Sequence, residues 1–485
     1  PSQWATVQHS LGNLFAQRYE RSGDESQARQ AEQHYQNALQ VRTRDAAPSD
    51  WAMTQHSLGT LFSQRYERSG DEAQARQAEQ HYQNALQVHT REVAPSQWAT
   101  VQHSLGNLFA QRYERSGDEA QARQAEQHYQ NALLEYTREV APSQWATVQH
   151  SLGNLFLDRY ERSGDESQAR QAEQHYQNAL QVHTRDAAPS QWATVQHSLG
   201  NLFLRRYERS GDESQARQAE QHYQKVRQLA KEIPLPAVFP FRACAALARL
   251  NYRRGNWQEV RMFSQEAREH LEELLALQSE QSGSESWLSE AQGLPAQTAW
   301  AFLQEASPNF HQIVETLESG RGQILREALE RQRADIERFP SWGYKDLHDR
   351  WKNTLANERS LQHLPLQRRD SLWFDQIQAI KRQIKALAQE IRDRVGKEHP
   401  EFRYFLQSLP FDEIQRQAKE APLVYLAGTA RGGFALIVRE QGEAQVVNLP
   451  RLTETALRER VQGPDSDPRL GGFLGAYFKF KRERN

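Results

Sequence analysis

The chain has 485 residues, and its 60 Lys and Arg residues nearly balance 62 Asp and Glu residues, giving a net charge of −2. Dedicated nucleic-acid binders and polybasic membrane binders need surplus positive charge, which this chain lacks. We therefore expect neither a nucleic acid nor a membrane as partner. No run approaches the roughly 18 apolar residues of a membrane span. A single Cys excludes an internal disulfide and any multi-cysteine zinc site. We expect a cytoplasmic location. Because the chain begins at Pro1 without an apolar signal segment, we also expect a fragment of a longer protein.

A Pro-Ser-x-Trp-Ala motif recurs through the first half of the chain. Its period is 47 residues, and five nearly identical units fill residues 1–230. A strict period of this length predicts an α-solenoid of stacked units. The Trp residues of the motif are Trp4, Trp51, Trp98, Trp145 and Trp192.

Each unit is predicted to contain two helices. In the first unit, apolar residues at helical spacing predict a helix from Ser2 to Arg21. Gly23 can end it in a left-handed conformation. Asp24 is predicted to cap the second helix, with Gln27 as its capping-box partner.

The unit resembles the tetratricopeptide repeat (TPR). Residues 11–15, Leu-Gly-Asn-Leu-Phe, match that family's Leu-Gly-x-x-Tyr pattern, and Ala31, Tyr35 and Ala38 match its Ala-x-x-x-Phe-x-x-Ala pattern. The family period is about 34 residues, so this repeat is longer by about 47 − 34 = 13. Trp4 also lies about one helical turn earlier than the family's Trp. The resemblance implies longer helices stacked as hairpins, with a concave groove that binds a peptide.

The same resemblance implies which residues line that groove. In TPR domains the position after the signature Gly faces the groove, and Asn there often bonds the backbone of a bound peptide. Asn13 lies one helical turn after His9 and one turn before Gln17, so the three share a face. The alternative is that they are merely solvated polar residues. The candidates are His9, Asn13, Gln17, His56, Thr60, Gln64, His103, Asn107, Gln111, His150, Asn154, Asp158, His197, Asn201 and Arg205.

Beyond the array, residues 231–339 are predicted to form further, degenerate TPR-like hairpins. One shorter hairpin is expected at 241–270 and at least one more pair over 286–338. Residues 340–420 are predicted to be a helical connector. It is irregular up to residue 373 and then contains a long amphipathic helix over 374–395.

Residues 421–485 change to a strand-like pattern. The predicted strands are 423–427, 434–438 and 444–449, with Gly428 and the Arg-Gly-Gly of residues 431–433 in a turn. Residues 453–462 are predicted to be helical. The fold class is therefore mainly α: an α-solenoid with a 47-residue period, a helical connector and a small incomplete α/β segment.

Four short motifs follow the array in a fixed order. They are Glu-Ser-Gly-Arg-Gly at 318–322, Pro-Leu-Val-Tyr-Leu at 422–426, Gly-Gly-x-Ala-Leu-x-Val at 432–438 and Leu-Pro-x-Leu at 449–452. This order resembles the CHAT family, caspase-like peptidase domains that follow TPR arrays. The family's catalytic His and Cys lie near His-x-x-x-His-Gly and Ser-Ala-Cys motifs, which this sequence lacks. The resemblance implies that residues 421–485 are the first strands of a truncated CHAT-like domain.

No residue is predicted to be catalytic or to bind a metal. A cysteine peptidase needs a thiolate beside an imidazole base. Cys244, the only thiol, lies among Ala and Leu residues without an adjacent His, so we predict a packed core cysteine. One His per repeat forms a ladder and not a metal cage, because packed helices lie about 8–10 Å apart. The glycines near residue 430 lack the Lys-Ser/Thr of a phosphate loop, and no cofactor is expected.

Two functions agree with these patterns. The first is a non-enzymatic interaction scaffold whose groove binds a peptide or a segment of a protein partner. The alternative is the regulatory or sensor half of a CHAT-family cysteine peptidase whose catalytic part is missing from this chain. Self-association is a further expectation, since an uncapped solenoid end exposes apolar surface.

Overall fold

The computed structural model describes residues 2–277, 287, 290–319, 334–362, 371–407, 409–453 and 455–456. The chain divides into two compact units, Pro1–Ala243 and Cys244–Asn485. This division falls within the predicted 231–339 segment. The four-segment organisation proposed above stays a prediction.

The first unit contains the five hairpins. The first helices are α1 (Ser2–Ser22), α3 (Pro48–Ser69), α5 (Pro95–Ser116), α7 (Pro142–Ser163) and α9 (Pro189–Ser210). The second helices are α2 (Glu25–Leu39), α4 (Glu72–Leu86), α6 (Glu119–Leu133), α8 (Glu166–Leu180) and α10 (Glu213–Glu232). Each second helix packs on the first helix of its own repeat, and in the first four repeats it also packs on the first helix of the next repeat. The predicted α-solenoid of TPR-like hairpins is confirmed.

The helix ends follow from a few residues in each repeat. Gly23, Gly70 and their copies adopt positive φ values near 70° and end the first helices. The Asp24 side chain accepts a hydrogen bond from the backbone N–H of Ser26 at 2.8 Å and caps α2. The capping box differs from the prediction: Gln27 Nε2 lies 3.5 Å from the Asp24 carboxylate and does not bond the Asp24 backbone.

Within a hairpin the two helices approach closely through a Gly–Tyr contact. A Cβ atom added to Gly106 would lie 2.5 Å from the Tyr129 ring, and the other four repeats repeat this geometry. Ala122, Ala125 and Ala132 on α6 are fully buried. The signature Gly is therefore required because a larger residue would push the two helices apart.

Two helices cover the segment 241–270, for which a shorter hairpin is predicted. Helices α11 (Val238–Arg254) and α12 (Trp257–Leu277) are separated by Gly255, whose φ is 81°. Two further helices, Leu294–Leu303 and Phe310–Ser319, pack together. Residues 320–333 of the pair predicted over 286–338 lie outside the described residues, and with them residues 320–322 of the 318–322 motif.

The connector is more regular than expected. A 3₁₀ helix covers Ala334–Trp342, and α-helices cover Lys345–Gln362 and Ser371–Glu398. Residues 345–362 of the predicted irregular helical connector form one continuous α-helix. Leu347 and Trp351, four residues apart, are both buried in a core with residues of the long helix, and this packing stabilises the helical conformation.

Three antiparallel strands form one sheet. They are β1 (Leu423–Thr429), β2 (Gly432–Val438) and β3 (Gln445–Leu449), in the order β1-β2-β3. Gly428 and Gly433 pair within the strands and not in the predicted turn, which is formed by residues 430–431. One face of the sheet packs on the helices 294–303 and 310–319. The predicted helix 453–462 lies almost entirely outside the described residues.

Candidate functional site

The first helices present a polar stripe along one side of the array. In the fourth repeat it consists of Thr147, Ser151, Asn154, Asp158 and Glu161, spaced three or four residues apart. This spacing places all five on one side of α7. Thr147, Asn154 and Glu161 are exposed, and Ser151 and Asp158 are half-buried. We call these five residues and their copies in the other repeats the first-helix face.

Each Asn of this face is oriented by a Tyr of the second helix. The Tyr129 hydroxyl donates to Asn107 Oδ1 at 2.8 Å, and Tyr176 donates to Asn154 Oδ1 at 2.8 Å. Burial raises the pKa of Tyr129, so its hydroxyl remains a donor. Within the described residues, Nδ2 of Asn107 and of Asn154 has no hydrogen-bond partner. Each amide therefore offers a fixed N–H donor at the surface.

The other copies of this Asn have the same contact. Tyr35 donates to Asn13 and Tyr223 to Asn201, both at 2.7 Å. In the second repeat Thr60 takes the Asn position, and the Tyr82 hydroxyl lies 3.4 Å from Thr60 Oγ1. Thr thus keeps the acceptor for the Tyr hydroxyl but lacks the amide N–H.

Four of the five predicted His residues lie between consecutive first helices. His56, His103 and His150 each place Nε2 within hydrogen-bonding distance of a Ser hydroxyl in the next repeat, at 3.0, 3.1 and 3.0 Å. Burial lowers the pKa of these three residues to about 4, so they are neutral at pH 7. His9 Nδ1 lies 3.2 Å from Thr54 Oγ1 of the second repeat, whereas His197 Nδ1 lies 3.4 Å from Asn201 Nδ2 of its own helix. His9, His56, His103 and His150 thus join consecutive repeats.

The next position of the face differs from repeat to repeat. Gln17 is exposed, while Gln111 Oε1 accepts from Ser63 of the preceding repeat at 3.2 Å. Gln64 Oε1 is buried and has no hydrogen-bond partner among the described residues, because the residue corresponding to Ser63 is Ala16. Arg205 forms ion pairs with two Glu residues, at 2.6 and 2.8 Å.

Asp158 occupies this position in the fourth repeat. The preceding repeat offers it no Ser hydroxyl, since the equivalent of Ser63 is Ala110. Burial raises the pKa of Asp158 to about 7, and the charges of Glu114 and Glu161 add to this effect. The carboxyl group is therefore partly protonated near neutral pH. The structure gathers Asp158, Glu114 and Glu161 on one part of the first-helix face.

Two inter-repeat contacts were missed by the sequence analysis. Arg112 reaches back to Glu72 and to Glu79, the latter at 2.8 Å, so that a first helix is tied to the preceding second helix. Arg115 donates to the backbone carbonyl of Glu67 at the end of the preceding first helix. The repeated charges were visible, but their pairing depends on how neighbouring hairpins stack.

The second unit places Cys244 in a packed interior. Its side chain is fully buried, and Sγ lies 3.6 Å from a carboxylate oxygen of Glu266. The described residues contain no group of three or more His, Cys, Asp or Glu arranged to hold a metal ion. Across the same part of the chain, no helix combines the length and apolar character needed to cross a membrane.

Comparison with solved structures found similarity at low sequence identity. No protein-family model matches the chain, and no curated protein matches it. Among solved structures, the pilF protein of Pseudomonas aeruginosa is 18% identical, with a TM-score of 0.34, over 59% of this chain and 98% of its own. A circular tandem repeat protein with novel repeat topology and enhanced subunit contact surfaces is 16% identical. Its TM-score is 0.26, over 83% of this chain and 100% of its own.

The hairpins and their inter-repeat contacts define the class of this protein. Unit Pro1–Ala243 is a TPR-like helical-repeat array with a 47-residue period. Unit Cys244–Asn485 adds helices and a small antiparallel sheet.

Proposed function

We propose that this chain is a non-enzymatic interaction scaffold whose first-helix face binds an extended peptide segment of a protein partner. The observation that carries the proposal is that Asn107 and Asn154 are each held by a buried Tyr and leave their N–H donors unpaired within the described residues. An extended peptide offers backbone carbonyls that such donors can bind. A merely solvated row of polar residues needs no such internal support.

The stacking of the helices supports a groove on this side. First helices of neighbouring repeats contact one another directly, whereas each second helix packs mainly on first helices. A stack curves towards the layer whose elements lie closer together, so we infer that the first-helix face is concave. The neutral His–Ser contacts lie between the Asn residues of consecutive repeats.

The test uses a peptide selected from a random display library against the full chain. Its affinity is measured by fluorescence anisotropy for the wild type and for the double variant Asn107→Thr, Asn154→Thr. Thr occupies this position in the second repeat, so the variant keeps the acceptor for Tyr129 and Tyr176 and loses only the amide donors. We expect binding roughly tenfold weaker, about 1.4 kcal/mol for two lost hydrogen bonds.

The matched control is the double variant Gln127→Ala, Gln174→Ala on the exposed side of α6 and α8. It should bind within about twofold of the wild type, since it leaves the first-helix face intact. Unchanged affinity in the Asn variant, or an equal loss in the control, would contradict groove binding.

The second candidate function is the regulatory half of a CHAT-family cysteine peptidase. One observation favours it: the sheet face opposite the helices carries Val424, Leu426 and Val447, which are 51, 47 and 43% exposed. An apolar sheet face is normally covered by a second layer in an α/β domain. The reading frame downstream in the genomic DNA tests this. His-x-x-x-His-Gly and Ser-Ala-Cys motifs there would support the alternative, and their absence would count against it.

A further inference from the structure

A cavity of about 720 Å³ opens on the fifth repeat, lined by no residue of the first-helix face. Its walls combine Trp192 of α9 with Arg185 and with Arg217, Glu220 and Lys225 of α10. The volume lies within the roughly 300–1,000 Å³ of typical ligand sites. The cavity is therefore large enough to hold several side chains of a bound segment.

The longer second helix of this repeat shapes the cavity. Helix α10 has 20 residues, whereas α6 has 15. The extra turn supplies Glu232, which pairs with Arg185. Two repeats earlier the corresponding Arg91, at the end of the second repeat, lies over the Trp98 ring, 5.8 Å from its centroid. Among the described residues no cation lies over Trp192 in this way, so its indole remains available to the cavity.

Lys225 adds a charge that the other repeats lack at this position. In the third repeat Asn131 occupies it and donates to the buried Gln102 at 3.1 Å. In the fifth repeat Gln196 still accepts from His222 at 2.7 Å, but Lys225 is exposed at the cavity. The change from Asn to Lys converts an internal hydrogen-bond donor into a surface cation.

The charges at the cavity are unbalanced. Arg217 and Lys225 have no ion pair or hydrogen bond within the part of the chain that the structure describes, and Glu220 is the only carboxylate that lines the cavity there. An indole beside two such cations complements a ligand that carries both carboxylates and an apolar group.

We propose that this cavity binds an acidic peptide segment of a protein partner, with carboxylates at Arg217 and Lys225 and an apolar side chain on Trp192. This cavity is separate from the first-helix face, so peptide binding here is independent of binding in the groove. A partner could engage both surfaces at once, in which case the affinities would reinforce each other.

The probe is a fluorescein-labelled peptide in which Asp and Glu alternate with Leu and Phe, and its affinity for the full chain is measured by anisotropy. Lys225→Asn restores the residue of the other repeats, so it should fold normally. We expect Lys225→Asn and Arg217→Gln each to weaken binding by about fivefold or more through loss of a charge-assisted contact. Arg123→Gln, the same position in the third repeat beside Asn131, is the matched control and should stay within about twofold.

Four results would overturn the proposal: no loss in Lys225→Asn, no loss in Arg217→Gln, an equal loss in Arg123→Gln, or equally tight binding of the same peptide with Lys in place of Asp and Glu. A single-stranded oligonucleotide that displaces the peptide at equal concentration would also overturn it, because the cavity would then be a general anion site. Loss in the two cavity variants alone, with the lysine peptide and the oligonucleotide inactive, would support it.

Discussion

At Asp158 a single substitution in the repeat changes the chemistry of the face. The amide oxygen of Gln111 accepts from the Ser63 hydroxyl of the preceding repeat at 3.2 Å. At Asp158 the equivalent residue of the preceding repeat is Ala110, which has no hydroxyl to donate. Burial raises its pKa to about 7, from an ordinary value near 3.8. The folded state therefore holds this proton more tightly than the unfolded chain, and the residue destabilises the array increasingly as pH rises from about 4 to 7.

Replacing Asp158 with Gln, the residue of the first three repeats, removes this buried charge. We expect Asp158→Gln to raise the free energy of unfolding on the order of 2 kcal/mol at pH 8 and much less at pH 5. Urea unfolding followed by circular dichroism at both pH values measures the difference. The reverse change at the exposed copy, Gln17→Asp, should have little effect at either pH. An equal gain at pH 5 and pH 8 would show that packing and not charge is responsible.

Between helices, the array is held by contacts that repeat with the sequence. The Arg112 guanidinium, almost fully buried, pairs with two Glu residues of the preceding second helix and lies over Phe109, 5.5 Å from the ring centroid. Arg18 lies over Phe15 in the same way, at 5.3 Å, but no repeat precedes it among the described residues. The two Arg residues thus differ in burial, since Arg18 is exposed, and in the inter-repeat ion pairs.

This difference supplies a controlled test of stacking. Arg112→Met should lower the free energy of unfolding by about 2 kcal/mol, because it leaves the half-buried Glu79 without its cation. Arg18→Met keeps the same local change in side chain and should cost less than about 0.5 kcal/mol. Chemical unfolding of both variants measures the two losses in free energy of unfolding. Equal losses would mean that the ion pairs contribute nothing to the stack.

Helical elements could be predicted from the sequence, but the contacts between them could not. The 47-residue period, Gly23 and Pro48 predicted the hairpins, because these residues act through local backbone geometry. His103 was predicted on a groove with Asn107, yet it lies between two helices, since the approach of the next first helix decides burial. Trp351 gave no helical signal of its own, and only its packing against the long helix explains that segment.

At the scale of the whole array, buried histidines couple stability to pH. Burial lowers the pKa of six of them to about 4. For none of the six does a nearby carboxylate raise the pKa again. An unfolded His has a pKa near 6.5, so the unfolded chain binds more protons between these values. The neutral histidines contribute fully to the free energy of unfolding above pH 6.5, and this contribution is lost as pH falls towards 4. The six residues are His56, His81, His103, His128, His150 and His222.

We therefore expect the array to unfold at lower urea concentration at pH 5 than at pH 7.5. The expected loss exceeds about 3 kcal/mol, even though Asp158 acts in the opposite direction over part of this range. Unfolding followed by far-ultraviolet circular dichroism measures it, because the helices dominate that signal. A midpoint that does not change between the two pH values would show that the histidines are hydrated in solution.

The central claim is that the first-helix face of the array holds the partner. Photo-crosslinking tests it most directly, with a benzophenone amino acid placed either at Thr147 on α7 or at Gln174 on α8, both exposed. The peptide selected against the full chain is bound to each variant, and crosslinked product is quantified by mass spectrometry. We expect crosslinking from position 147 and little from position 174. Crosslinking from position 174 alone would place the partner on the second helices and contradict binding at the first-helix face.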